Sequence, residues 1–458
     1  MLGWQSFFSA LFASISFIRT QKLLVIIVEG LPGNRFHELS NLPGFRNFHE
    51  NGVWSTLLYP QFPTLPLPNR QTIMTGLLSK NHGFVGDYLY NWRTQQIFYN
   101  FESTNDLSKD LWWKNEPIFI TSQKAGAPTA LFFFPECEVL WRPRVSICES
   151  PHPDRSSLDD MRNIYQIIEA TQTNDLVMVN HVKIREIIEK QGMANFRTKV
   201  FPEITAFLKG LERLESEIRQ RIDLNMIVIS PHGYIDVTEL NKHVIDNYIS
   251  MDKINITIGA GAVKQIITNS GFTQEIYNQL RFVSPIPNAK IYYTIPQISD
   301  IPSWFVYEKS DHIPDLVLIA TPGSAIYSEN EDKQIPFPSR IRPVKSISGY
   351  NNEYPEMLGL FLAYGPIFQR GMRKGPINLV DIYALICDIL HLPCLRNDGN
   401  SSNVEDILNE SFYQNNNAAG RFNRLNFFCK YINIFANRCI FIIFILCCKN
   451  YFIIFSGY

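Results

Sequence analysis

The segment Lys22–Gly30 reads KLLVIIVEG, a short apolar, β-branched run that stops at an acid and a glycine. Such a run has no polar face, so it fits a strand covered on both sides, as in a parallel sheet. Leu224–Gly233 (LNMIVISPHG) repeats the pattern, and Thr129–Phe134 (TALFFF), Asp175–Asn180 (DLVMVN) and Asp315–Ala320 (DLVLIA) are shorter versions of it. Helical spacing marks Phe201–Ile222 and Val380–Leu390. Strands that alternate with helices predict an α/β fold, a mostly parallel central sheet flanked by helices. Ligands of such sheets bind beyond the carboxyl ends of the strands. Glu29 and the Pro231–His232 pair therefore belong to the functional edge. Residues 240–300, punctuated by Asn, Gly and Pro, read as a less regular insertion.

The chain can bury a sizeable core: 45% of its 458 residues are hydrophobic and 19% charged, which excludes a disordered chain. The formal net charge is −1. No basic field exists to hold a nucleic-acid polymer, so none is expected as a partner. The two ends differ from the body. Residues 1–21 carry an apolar stretch, Phe7–Ile18, in which the small residues Ser14 and Ser16 suit a cleavage site, and read as a signal peptide or an N-terminal hydrophobic segment. Residues 22–411 form the main domain. The tail, 412–458, contains CIFIIFILCC at Cys439–Cys448, shorter than the roughly 20 residues of a bilayer span. It reads either as a membrane anchor with flanking Arg438 and Lys449 or as a segment belonging to no domain. Of eight cysteines, Cys137 and Cys148, and Cys387 and Cys394, lie close enough in sequence to close local loops, although sequence alone leaves connectivity open. Sequons stand at Asn255, Asn400 and Asn409. With the leader they place the chain in the secretory pathway, outside the cell or on its surface.

The segment Tyr59–Asp87, YPQFPTLPLPNRQTIMTGLLSKNHGFVGD, carries the chemistry. Prolines at 66 and 68 suit the first turn of a helix. Thr64, just ahead of them, would face the positive end of that helix dipole, which favours a developing alkoxide and an incoming phosphate. Phe62-Pro63-Thr64, Pro68-Asn69, Thr75-Gly76-Leu77 and His82-Gly83-Phe84 resemble the nucleophile region of the ectonucleotide pyrophosphatase/phosphodiesterase family, within the alkaline-phosphatase superfamily. Trp112-Trp113-Lys114-Asn115-Glu116-Pro117-Ile118 looks like the family's W-W-x-G-E-P-I/L segment. Gly349-Tyr350-Asn351-Asn352 through Met357, and Ala363-Tyr364-Gly365-Pro366-Ile367-Phe368, extend the likeness, which runs from about Lys22 to Asn409. The resemblance implies type I phosphodiesterase/nucleotide pyrophosphatase chemistry, with Thr64 as the nucleophile and Asn69 as a phosphate contact.

The family implies two zinc ions that clamp the attacking and leaving oxygens. Here the ligand pattern is altered. By match, one metal would keep Glu29 in place of aspartate, Thr64 and His232, whereas its remaining aspartate is Pro231. For the other metal, the region Met178–Phe196 lacks the D-x-x-x-H spacing, and the late histidine is Ser348. His181, Glu186 and Glu189 lie nearby at the wrong spacing. Zinc in a catalytic site needs about three protein ligands, so at most one ion is expected. Arg70 stands where the family often has histidine, and its donor fork could hold an anion.

Each residue also has a plainer reading. Glu29 could pair with a basic neighbour, His232 could be a buried hydrogen-bonded histidine, and Thr64 could cap the helix. His82 reads as structural, and Trp112 and Trp113 as core. Two functions follow. One is a catalytically impaired pseudoenzyme that binds a phosphate-containing small molecule or lipid, with or without membrane association. The other is an active phosphodiester hydrolase with an altered, single-metal site.

Overall fold

The computed structural model describes residues 21–99, 112–152, 157–307, 312–329 and 344–410, together with Phe412. The leader, apart from Gln21, and all of the tail but Phe412 lie outside these. The chain divides into two compact units, Thr20–Ile407 and Met1–Arg19 with Leu408–Tyr458. Among the described residues, no helix is long and apolar enough to cross a membrane.

The first unit is built on one large sheet. Its strands are β1 (Lys22–Val28), β2 (Val53–Tyr59), β3 (Thr129–Phe132), β4 (Ile147–Glu149), β5 (Leu176–His181) and β6 (Leu224–Ser230). A second sheet contributes β7 (Ile254–Ile258), β8 (Val263–Thr268), β9 (Ala289–Tyr293) and β10 (Leu316–Ala320), and the large sheet ends with β11 (Gly359–Tyr364), β12 (Met372–Arg373) and β13 (Ile377–Asn378). The large sheet runs β12-β2-β11-β6-β1-β5-β3-β4, with β13 also on β2. β1 is parallel to both β5 and β6, and β3 is parallel to β4 and β5. β11 is antiparallel to β6 and β2, so the sheet is mainly parallel rather than wholly so.

Both faces of β1 are buried. Leu24, Ile26 and Val28 pack with Phe36, Phe45, Phe207 and Leu211 on one side, and Leu23, Val25 and Ile27 are equally enclosed. That is why the run shows no alternation. The longer helices are α1 (Pro66–Thr75), α2 (Ile118–Lys124), α3 (Met161–Thr173), α4 (Lys183–Gln191), α5 (Phe201–Arg219) and α6 (Asp381–Leu390). α3 and α5 place apolar faces on the core of the sheet, including Ile164, Ile167, Phe207 and Leu214.

The expected strands are present, with one change of place. Asp315–Ala320 does not join the parallel sheet. Its strand, β10, lies between β8 and β9 in a four-stranded antiparallel sheet. Leu316, Leu318 and Ala320 pack into one cluster, and Val317 and Ile319 into another. A strand buried on both faces reads the same from sequence in either kind of sheet. The 240–300 region is also more regular than its punctuation suggests, because it supplies β7, β8 and β9. Trp112 and Trp113 are buried beside Phe84 and Phe98, as expected of core residues. The pairs Cys137–Cys148 and Cys387–Cys394 are disulfide-bonded.

Candidate functional site

The register of the large sheet sets the site. Val28 lies opposite His181, and Ile27 opposite Ile229, so Glu29, His181 and His232 gather at the carboxyl edge of three neighbouring parallel strands. Gly30 then turns the chain at φ +97°. A Cβ there would lie 3.0 Å from the Arg185 backbone nitrogen and 3.1 Å from its Cα. Only glycine lets α4 come this close, and the approach delivers Arg185 to Glu29.

Glu29 is buried, and both carboxylate oxygens are engaged. Oε2 accepts from Arg185 Nη1 at 2.7 Å, and Oε1 from Arg70 Nη1 at 3.3 Å. Arg70, itself only 3% exposed, donates through Nε to Glu136 Oε1 at 2.9 Å, and Gln71 Nε2 donates to the same oxygen at 2.9 Å. A chain of alternating charge results: Arg185, Glu29, Arg70, Glu136. Burial works against the Arg185 cation, but Glu29 and Glu189 hold its pKa above the ordinary value. Arg70, expected as an anion contact, is enclosed and carries two carboxylates.

Thr64 is fully buried at the end of a loop that contains the cis Phe62–Pro63 peptide. It does not cap α1. Leu65 holds the cap position, and its own side chain makes no capping bond. The Thr64 hydroxyl instead donates to the Tyr350 carbonyl at 2.9 Å, accepts from Gly349 N–H at 3.0 Å and lies 3.2 Å from Met357 Sδ. Asn69 is also enclosed. Its Oδ1 accepts from Gln61 N–H at 2.7 Å, and its Nδ2 faces the carbonyls of Gln61, Pro63 and Leu65 at 2.9–3.1 Å. The side chain expected to meet phosphate thus ties the loop around Thr64 together.

The amino end of α1 already has an anion. Asp87 Oδ1 accepts from Leu67 N–H at 2.8 Å, at the helix end that sequence reasoning reserves for a phosphate. Burial of the carboxyl pushes the Asp87 pKa up to about 6, against the pull of that amide and of Arg185.

His232 is fully buried; Nδ1 lies 3.2 Å from the Gly233 carbonyl, and Nε2 has no hydrogen-bond partner among the described residues. Burial lowers its pKa to about 4 despite the nearby Glu29 charge, so the ring is neutral at pH 7. Pro231 and Ser348 are buried neighbours of these groups in sequence. His181 accepts from Leu158 N–H at 3.3 Å and packs on Phe207 with ring centroids 5.0 Å apart. Burial lowers its pKa to about 4 as well. His82 has the structural role expected of it, bonding Thr72 Oγ1 and Phe84 N–H inside the core. Asn255 and Asn400 are exposed, and Asn409 is partly so.

The sequence of this chain matches the family model described as type I phosphodiesterase / nucleotide pyrophosphatase over residues 23–351. The chain belongs to that family. Its relatives place it among the ectonucleotide pyrophosphatases/phosphodiesterases of the alkaline-phosphatase superfamily. It is 24% identical over 396 residues to human ectonucleotide pyrophosphatase/phosphodiesterase family member 5, covering 85% of this chain and 79% of the relative. To human bis(5'-adenosyl)-triphosphatase ENPP4 it is 26% identical over 405 residues, covering 84% and 82%. The fold matches the structure of inactive murine ectonucleotide pyrophosphatase/phosphodiesterase 5 in complex with AMP, with a TM-score of 0.75, 24% identity and coverage of 85% of this chain and all of that one.

Family chemistry is metal-dependent, and the residues present here do not fit a metal. Zinc needs lone pairs from about three donors at roughly 2.0–2.2 Å. The Glu29 lone pairs are directed at two guanidinium groups, and the Thr64 hydroxyl is held by the 349–350 backbone. Among the described residues, no group of three or more His, Cys, Asp or Glu is arranged to hold an ion. Sequence reasoning missed Arg185, Glu136 and Asp87. It searched 178–196 for acids and histidines, whereas the signal was Arg185 set four residues before Glu189 on one helix face, 3.7 Å apart.

Proposed function

We propose that this chain is a catalytically impaired member of its family, which keeps the fold to bind a phosphate-containing small molecule rather than to cleave it. One observation carries the reading. Both oxygens of Glu29, the acid at the head of the sheet, are bound by arginines. A carboxylate so paired offers no ligand to a Lewis acid, and the Thr64 hydroxyl directs its proton at the Tyr350 carbonyl. The AMP complex of the murine relative supports a nucleotide as the class of ligand.

The competing reading is an active hydrolase with one metal held by Glu29, Thr64 and His232. The unpartnered Nε2 of His232 favours it. Incubating the purified protein with a nitrophenyl phosphodiester and added zinc separates the two. The expected result is no release above the buffer rate, alongside a thermal shift with AMP. Turnover that disappears in Thr64→Ala would overturn the proposal.

The same reading sets the chain in the secretory pathway, at the surface or outside. The two disulfides and the accessible sequons at Asn255, Asn400 and Asn409 support it. A lipid-borne phosphate, or a tail that holds the chain at a membrane, is a further form of this proposal and falls on residues outside those described.

A further inference from the structure

We infer that Arg185 and Arg70 perform the charge-balancing work that a metal ion does in an acidic centre, so that the chain folds independently of metal and shuts divalent cations out until Arg185 is removed. The inference rests on the proposal that the centre is catalytically impaired, and it deepens it by naming what replaced the ion.

Three features carry it. First, the arginines reach both Glu29 oxygens, at 2.7 Å and 3.3 Å. A cation approaching those oxygens meets donor hydrogens and like charge on each. Second, the arrangement is fixed by backbone rather than by side chains alone. With Gly30 at φ +97°, the Arg185 nitrogen lies 3.0 Å from where a Cβ would stand. Glu189 braces the guanidinium from the next turn at 3.7 Å, and Glu136 with Gln71 braces Arg70 from the other end. Third, the charges alternate along Arg185, Glu29, Arg70 and Glu136, so each carboxylate of that chain already meets a cation of the protein. Buried ions persist when each is paired and bonded in this way.

The centre keeps a latent donor. His232 is buried close enough to feel the Glu29 charge, and its Nε2 is unpartnered. Shortening Arg185 frees Glu29 Oε2 at the sheet edge where His232 also lies, leaving an acid and an imidazole there, both of the kinds zinc accepts.

The test uses the full chain purified from a secretory host without chelator. Metal content is measured by mass spectrometry, and Tm with EDTA and with zinc. The wild type should carry no stoichiometric metal, and its Tm should move with neither reagent. Arg185→Ala should melt at least ~3 °C lower and recover part of that loss with zinc. Arg185→Lys, which keeps the charge, should stay blind to zinc. Stoichiometric zinc in the wild type, or a Tm that falls in EDTA, would overturn the inference, as would a folded Arg185→Ala that ignores zinc. If Arg185→Ala fails to fold, the wild-type EDTA arm decides. The outcomes separate this inference from the proposed function. Turnover by metal-free wild type sinks the impaired-enzyme reading and leaves metal independence standing, whereas stoichiometric zinc without turnover does the reverse.

Discussion

Arg70 shows how far one residue can move from the role its position suggests. A guanidinium after Pro68-Asn69 suits a phosphate, yet it is enclosed between Glu29 and Glu136. All three side chains are at most 3% exposed, so removing one partner leaves uncompensated buried charge. Arg70→Met should therefore cost about 3–5 kcal/mol in urea unfolding. Adding Glu136→Leu should return much of that loss, because the orphaned carboxylate goes with it. A single variant that unfolds like the wild type would mean that the pair carries no stability. Thr64 and Asn69 teach a related lesson. Their identities were legible in the motif, but their partners were not. The Thr64 hydroxyl bonds a backbone nearly three hundred residues away, at Gly349 and Tyr350. Local pattern holds no information about such a contact.

Elements were easier to read than partners. The runs at Lys22, Thr129, Asp175 and Leu224 become β1, β3, β5 and β6, because apolar β-branched segments bounded by turn residues have few other stable forms. Asp315–Ala320 was placed in the wrong sheet for the same reason: burial on both faces erases the alternation that distinguishes sheet types. The β1–α4 contact was not legible at all. Gly30 ends a recognisable strand, but nothing local says that the Arg185 backbone will pack on it. Gly30→Ala tests that contact. The substitution forces a side chain into positive φ and against α4, and should lower stability by about 2–3 kcal/mol in guanidinium melts. An unchanged midpoint would show that α4 is free to withdraw, and that Arg185 is not held by the backbone.

Across the whole molecule, the family fold carries a centre in which buried charges pair with one another. The large sheet still brings Glu29, His181 and His232 to one edge, as the doubly covered architecture requires. What gathers around that edge is a set of groups held by partners from the chain itself. Two arginines stand against the acid, Asp87 takes the amino end of α1, and the threonine hydroxyl is tied to the chain. The account therefore depends on what lies beside Glu29. A crystal structure of the full chain grown with zinc, with anomalous data collected across the zinc edge, tests this most directly. The account predicts Arg185 and Arg70 on the two Glu29 oxygens and no anomalous peak between Glu29, Thr64 and His232. A peak bound by those three residues, with the arginines displaced, would contradict it.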